Sequence, residues 1–410
     1  MDRKNIIFRI VQAMFFAAIA AFIIISPYSK VVTKRAFLLI LTFWIILGAI
    51  SARLRFFWDA LVSWPLSRAI GVFILVLTVS TIFGVNPYHS QVVLFNRYLF
   101  YSIICLLGFS IGRSQRNAYF LTLLFIAASV FIGYGGIISF LHSGGERLVR
   151  SFHRPVYFTQ YLVLYFPLCI SILFFAKKKA IRLLGLAGVV ILYPCLILNS
   201  SRPAWVGVFL SIVAIFYLKN MKVLGLVLMV ALILFMSFFP VQNSDRFVFL
   251  NTSTWGDRLD LWETALKIFK DHPLLGSGPG TYEKLLYTYG PAGGYSEGNI
   301  HLHAHNTYLE LLSEVGIIGL TAFLFILLKL FEMVLKGLKA GAANRDLQAI
   351  NLGLAAGVFS TLVLASATSI VIVDFQDAAL FWFILGLVSG ISSADPSKAE
   401  AQKPLTKSLA

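Results

Sequence analysis

Charge is scarce in this chain, and acidic charge scarcer still. Of 410 residues only 13% are Asp, Glu, Lys or Arg, and 18 acidic side chains stand against 34 basic ones. A soluble globular domain carries about 25% charged residues. The shortage, joined to 59% hydrophobic residues and a mean hydropathy of +0.84, excludes that class. The alternating polar and apolar pattern of a membrane β-barrel is missing too. Cysteine is nearly absent: Cys105, Cys169 and Cys195 lie in separate apolar runs without metal-like spacing and read as small buried hydrophobes. The first apolar run, Ile10 to Ser26, lacks a small-residue cleavage site and reads as a first span rather than a signal peptide. Despite a net charge of +16 no basic domain is concentrated anywhere, which argues against nucleic acid as a partner. There is no internal repeat, and the Gly276-Ser277-Gly278-Pro279-Gly280 run lacks the Lys-Ser/Thr of a P-loop.

What is present is a series of apolar runs, each near the roughly 20 residues a helix needs to cross a bilayer. They predict twelve spans, at about 10–27, 36–52, 70–85, 98–112, 118–141, 157–176, 183–199, 204–218, 223–239, 306–331, 348–373 and 378–393. The expectation is an all-α polytopic membrane protein with one transmembrane domain over 1–393 and a polar, disordered cytoplasmic tail over 394–410. Basic residues gather between alternate spans, among them Arg3/Lys4/Arg9, Arg53/Arg55/Arg68, Lys177/Lys178/Lys179 and Lys336/Lys339/Arg345. The positive-inside rule then places both termini in the cytoplasm, with Lys30, Lys34 and Arg35 as exceptions on the far face. The longest internal polar segment, about 240–305 between the ninth and tenth spans, falls outside the cytoplasm. Within it Asp257 to Asp271 has helical period, with Trp262, Ala265, Leu266 and Phe269 as an apolar face suited to the membrane surface.

The chemistry-bearing residues concentrate where that segment re-enters an apolar run, at His301, His303 and His305. Ionisable groups at a membrane edge are costly and mark function. From Asn306 onward, helical spacing sets Asn306, Glu310 and Ser313/Glu314 on one stripe that should face protein. The three alternate imidazoles would suit zinc or copper in an extended segment, but no cysteine or fixed carboxylate completes the set. His305 reads either as a satisfied bundle histidine or as a general base, since an ordinary imidazole titrates near neutrality. Arg258 lies four residues before Trp262 and points with the apolar face, either snorkelling to headgroups or meeting an anion. Arg202, in the short polar break Asn199-Ser200-Ser201-Arg202-Pro203, stands at the same outer face. Two guanidinium forks and an imidazole suit an anionic, lipid-linked substrate. Between the fifth and sixth spans Arg147, Arg150, His153 and Arg154 suit phosphate, an acidic sugar or anionic headgroups.

Taken in order, these residues resemble the O-antigen ligase/polymerase superfamily of bacterial membrane enzymes. His305-Asn306 followed by Gly316-Ile317-Ile318-Gly319 is similar to its His-Asn…Gly-x-x-Gly signature, with Leu320 where Gly, Thr or Tyr is more usual. Gly256-Asp257-Arg258…Trp262 with His272-Pro273-Leu274-Leu275-Gly276-Ser277-Gly278 resembles its loop motif, and Ser201-Arg202-Pro203-Ala204-Trp205 its arginine-bearing turn. Arg147-Leu148 with Pro155 fits ahead of the sixth span.

The resemblance implies a GT-C-type glycosyltransferase of the bacterial inner membrane, working at the periplasmic face without metal, nucleotide sugar or other cofactor. Its donor would be an undecaprenyl-diphosphate-linked glycan. Carried over by residue, Arg202 and Arg258 would grip the diphosphate and His305 would deprotonate the acceptor hydroxyl; Arg147, Arg150, Arg154, Asn306 and Trp262 would line the substrate. The expected activity is that of an O-antigen ligase joining glycan to lipid A-core. A Wzy-type polymerase, which extends a glycan, is the alternative, and a lipid-linked sugar transporter the alternative from another class.

Overall fold

A chain in hydrocarbon has no water to satisfy its peptide groups, so its backbone bonds must close within each segment. Accordingly, every regular element among the described residues is a helix. The computed structural model describes residues 3–25, 30–50, 61–142, 155–199, 201–237, 252–291, 303–339, 344–373 and 375–394. In chain order the helices are α1 (Arg3–Ile25), α2 (Lys30–Ile50), α3 (Ser67–Phe83), α4 (Pro87–Val93), a π-helical turn (Leu94–Leu99), α5 (Phe100–Gly112), α6 (Gln115–His142), α7 (Pro155–Phe175) and α8 (Lys179–Leu198). They continue with α9 (Arg202–Leu218), α10 (Lys222–Ser237), α11 (Thr252–Asp271), α12 (Tyr282–Tyr289), α13 (Thr307–Lys339), α14 (Arg345–Leu364) and α15 (Phe375–Ser393).

Among the described residues eight helices are long and apolar enough to cross a membrane, and four shorter apolar helices accompany them. The fold is that of a polytopic, all-helical membrane protein. Each expected span meets one of these helices, but the first two begin earlier, at Arg3 and Lys30, and three further boundaries move. The fourth begins at Pro87, because the π-helical turn carries α4 into α5 without a break. The tenth continues to Lys339. The eleventh ends at Leu364 rather than 373, because the Ala365 and Thr368 carbonyls turn to receive the first residue of α13.

The deeply buried α7 and α14 pack on each other, and α5 packs along α15, which is buried throughout Asp377–Ile391. Small residues set the second distance. A Cβ on Gly386 would lie 1.9 Å from the Cys105 carbonyl oxygen and one on Gly108 2.2 Å from that of Phe383. Close approach through small residues is how helices associate where lipid offers no hydrophobic drive.

The element that positions the site is α13, which is broken at Gly316 (φ 66°, ψ −172°). The break orphans backbone groups on both sides, and the loop after α11 supplies their partners. Ser277 N–H donates to Ser313 O at 3.0 Å and Gly278 N–H to Glu314 O at 2.8 Å, while Ile317 N–H donates to Pro273 O at 3.0 Å. Two glycines make the approach. A Cβ on Gly276 (φ 72°) would sit 2.2 Å from the Glu314 carbonyl carbon, and one on Gly316 2.2 Å from Leu274 O. The end of α3 closes the other side, where Val85 N–H donates to Ser277 O at 2.7 Å and the Ser80 hydroxyl to Glu314 O at 3.2 Å.

Gly276→Ala and Gly316→Ala should each cost at least about 2 kcal/mol, from the left-handed conformation and the backbone clash together. Gly337, whose Cβ would meet nothing within 4 Å, provides the control. Melting in detergent should drop for the first two and stay level or rise for Gly337→Ala; equal behaviour of all three would refute the clasp.

Candidate functional site

The polar segment folds over the start of α13 around a small apolar core of its own. Leu261, Ala265 and Ile268 of α11, Tyr282 and Leu286 of α12, and Ala304 are buried together. Tyr282 Oη donates to Leu261 O at 2.7 Å, and Tyr289 Oη to the Asp271 carboxylate at 2.7 Å. This corrects the face expected for α11. Its buried stripe runs through Leu261, Thr264, Ala265 and Ile268, while Leu266 is 41% exposed and Trp262 and Phe269 are half-buried. Periodicity identified the helix, but the partner lies one residue around it. Arg258 sits half-buried on this helix, which packs on α13.

Two helix ends cap each other where α13 begins. Thr307 N–H donates to Ala365 O at 2.9 Å and to Thr368 O at 3.1 Å, and Tyr308 Oη donates to Leu362 O at 2.8 Å. Terminal carbonyls of a helix lack intrahelical partners, so α14 holds the start of α13 in place. Asn306 caps α13, its Oδ1 accepting from Tyr308 N–H at 3.0 Å and Leu309 N–H at 3.2 Å. Immediately before it His305 adopts φ 48°, a left-handed conformation few side chains tolerate.

The expected polar stripe faces protein, as Glu310, Ser313 and Glu314 are buried whereas Ile317 is 44% exposed. Glu310 receives His303 Nδ1 at 3.2 Å and the Ser369 hydroxyl. Glu314 Oε1 accepts from Tyr282 N–H at 3.1 Å, at the start of α12. Arg97, in the π-helical turn, lies within electrostatic reach of both carboxylates. His89 Nε2 lies 3.0 Å from Gly280 O, tying α4 to the same loop.

Arg258 and His305 are brought together electrostatically. Burial lowers the pKa of Arg258 from its ordinary value. His305 is open at one edge, yet crowding by the surrounding helices, then the charges of Arg258 and His303, hold its pKa below the ordinary value. His303 moves the other way. Burial opposes its charge, but the hydrogen bond and charge of Glu310 outweigh that and raise its pKa. At neutral pH the arrangement presents an unprotonated imidazole beside a cation.

Arg202 opens α9 at the same end of the bundle. A Cβ on Gly207 would touch Ser360 O near the end of α14. Arg202 lies five residues earlier, about 7.5 Å further along the helix, toward the turn that grips Thr307. Arg147, Arg150, His153, Arg154 and His301 lie outside the described residues. Among the described residues no three His, Cys, Asp or Glu side chains gather as a metal site, and His303 is engaged by Glu310.

Fold and site together define a multi-pass membrane protein whose cations and imidazoles meet at one end of the bundle. Residues 187–324 match the family model of O-antigen ligase. The matched region includes Arg202, Arg258, His305 and the break at Gly316. An uncharacterized protein of Haemophilus influenzae is 26% identical over 185 residues, an overlap of 40% of this chain and 46% of that one. The chain thus aligns with about half of that relative's length.

Arg97, Ser369 and the carboxylate held by His303 were missed as site residues from sequence. The usable signal for Arg97 was a lone cation inside the apolar run Leu94-Phe95-Asn96-Arg97-Tyr98-Leu99. For Asn306 the cap geometry makes a separable prediction. Asn306→Ala should lower stability by about 1 kcal/mol while Asn306→Asp retains it. Unchanged melting of Asn306→Ala would refute the cap.

Proposed function

We propose that the protein is an O-antigen ligase, a GT-C-type glycosyltransferase with twelve spans and both termini in the cytoplasm. It moves a glycan from undecaprenyl diphosphate to lipid A-core at the periplasmic face of the inner membrane. The observation that carries this reading is the placement of Arg258 and His305 within electrostatic reach of each other, with Arg202 opening α9.

The chemistry follows from the charges. An acceptor hydroxyl oxygen attacks the anomeric carbon of the donor sugar, and its proton passes to the His305 imidazole. The bond from that carbon to the diphosphate oxygen breaks, and the diphosphate leaves with the electron pair. Negative charge on the leaving oxygens grows through the transition state, so prepositioned guanidinium groups stabilise it selectively. Arg202 and Arg258 supply those groups, and the positive end of the α9 dipole adds to the field. Arg147, Arg150, Arg154, Asn306 and Trp262 line the substrate in this reading. A half-buried arginine with lowered pKa, as Arg258 is, regains favourable interactions when a dianion docks beside it.

Arg258→Lys should reduce turnover on the order of 10²-fold although charge is kept, because an ammonium cannot match the planar fork on a diphosphate. Near-normal turnover would remove Arg258 from the leaving-group site. The deciding experiment reconstitutes the protein with undecaprenyl-diphosphate glycan and offers lipid A-core and a second lipid-linked glycan in parallel. Product on lipid A-core is expected; glycan extension alone would make the protein a polymerase, and movement of intact donor without product a transporter.

A further inference from the structure

The mechanism above uses neither His303 nor Glu310, yet they form the most tightly held ionisable pair at the site. His303 Nδ1 lies 3.2 Å from Glu310 Oε1, and the Ser369 hydroxyl takes the other carboxylate oxygen. Glu310 is 2% exposed. A carboxylate gripped at both oxygens fixes the orientation of the imbedded imidazole and keeps a proton on its Nδ1.

Charge balance points the same way. Glu310 and Glu314 lie one turn apart and are both buried, and Arg97 is the cation within reach of both. A buried acidic pair beside one guanidinium favours a proton on the imidazole hydrogen-bonded to it.

We propose that Glu310 and His303 form a positioning dyad for His305: the carboxylate fixes His303 as an imidazolium, and that fixed cation two residues away keeps His305 a free base. The inference rests on the reading of His305 as the general base. The groups that act on His305 are Arg258 from α11, His303 beside it and Glu310 from α13. Those that act on His303 are Glu310, Arg97 of the π-helical turn and Glu283 of α12. The opposite pKa shifts of the two imidazoles agree with the geometry: His303 holds its proton above the ordinary histidine value, and His305 releases its proton below it. The left-handed backbone at His305 fits a segment held by its neighbours rather than by its own preference.

The test is a histidine titration by NMR on ¹³C/¹⁵N-histidine-labelled full-length protein in lipid nanodiscs, with His303→Gln and His305→Gln assigning the two resonances. One imidazole should titrate above the ordinary value and the other below it. In His303→Gln the proton affinity of His305 should rise about tenfold, and the acid limb of the kcat profile in the transfer assay should move up in pH with it. Loss of a merely structural contact would lower kcat at every pH and leave the limb in place. Glu310→Gln should bring the His303 titration down, and His303→Gln alone decides if that variant fails to fold. An unmoved His305 titration in His303→Gln, or a neutral His303 at pH 7 in the unaltered protein, overturns the dyad. The two readings fail separately: shifted titrations without product on any acceptor sink the transferase and keep the dyad, and transfer with unshifted titrations does the reverse.

Discussion

A helix interrupted inside the bundle is the constraint from which the site follows. At Gly316 the ladder of α13 opens, and a broken ladder in a poorly hydrated interior must be satisfied by other backbone. The loop at 273–278 does this with its own N–H and carbonyl groups, which fixes α11 behind it and α12 ahead of it. Arg258 rides on α11, and the N-terminus of α12 is held by Glu314 from the turn just before the break. The segment carrying His303 and His305 then packs its Ala304 into the core these two helices share. The placement of a cation beside an imidazole thus depends on two glycines that meet backbone to backbone.

Electrostatics adds a second layer to that scaffold. Buried carboxylates are expensive, and this chain has few acidic residues to spend, yet Glu310 and Glu314 sit together beneath the mouth. Glu310 reaches outward through its contact with His303, and Arg97 lies within electrostatic reach of both carboxylates. Arg202 enters from a different helix, placed by the packing of α9 on α14, which also grips the first residue of α13.

The spans were legible in the sequence because hydrocarbon imposes a length and a composition, and the inward stripe of Glu310, Ser313 and Glu314 followed from helical spacing alone. The buried face of α11 was only partly legible, because periodicity gives a stripe without naming its partner: Ala265 is buried as expected, but Leu261, Thr264 and Ile268 take the place of Trp262, Leu266 and Phe269. The loop glycines were equally opaque. Gly276 and Gly278 signal a turn, whereas the α13 carbonyls that receive the loop lie 36 residues away in sequence. Arg202, Arg258 and His305 stood out by chemistry and placement and took their roles from the family pattern, whereas the contact of Glu310 with His303 came from the structure.

The π-helical turn at Leu94–Leu99 has a consequence for how this chain tolerates changes in length. Such a turn holds one residue more than a plain helix, which offsets everything beyond it by about 100° around the axis. Within the turn stands Arg97, reaching toward the acidic pair; beyond it stand Gly108 and Gly112, seated on α15. Deleting a single residue there would mend the helix and leave its own hydrogen bonding intact, but the guanidinium and the glycine seam would no longer keep both appointments. The irregularity acts as a phase shifter between the acidic pair and the glycine seam on α15.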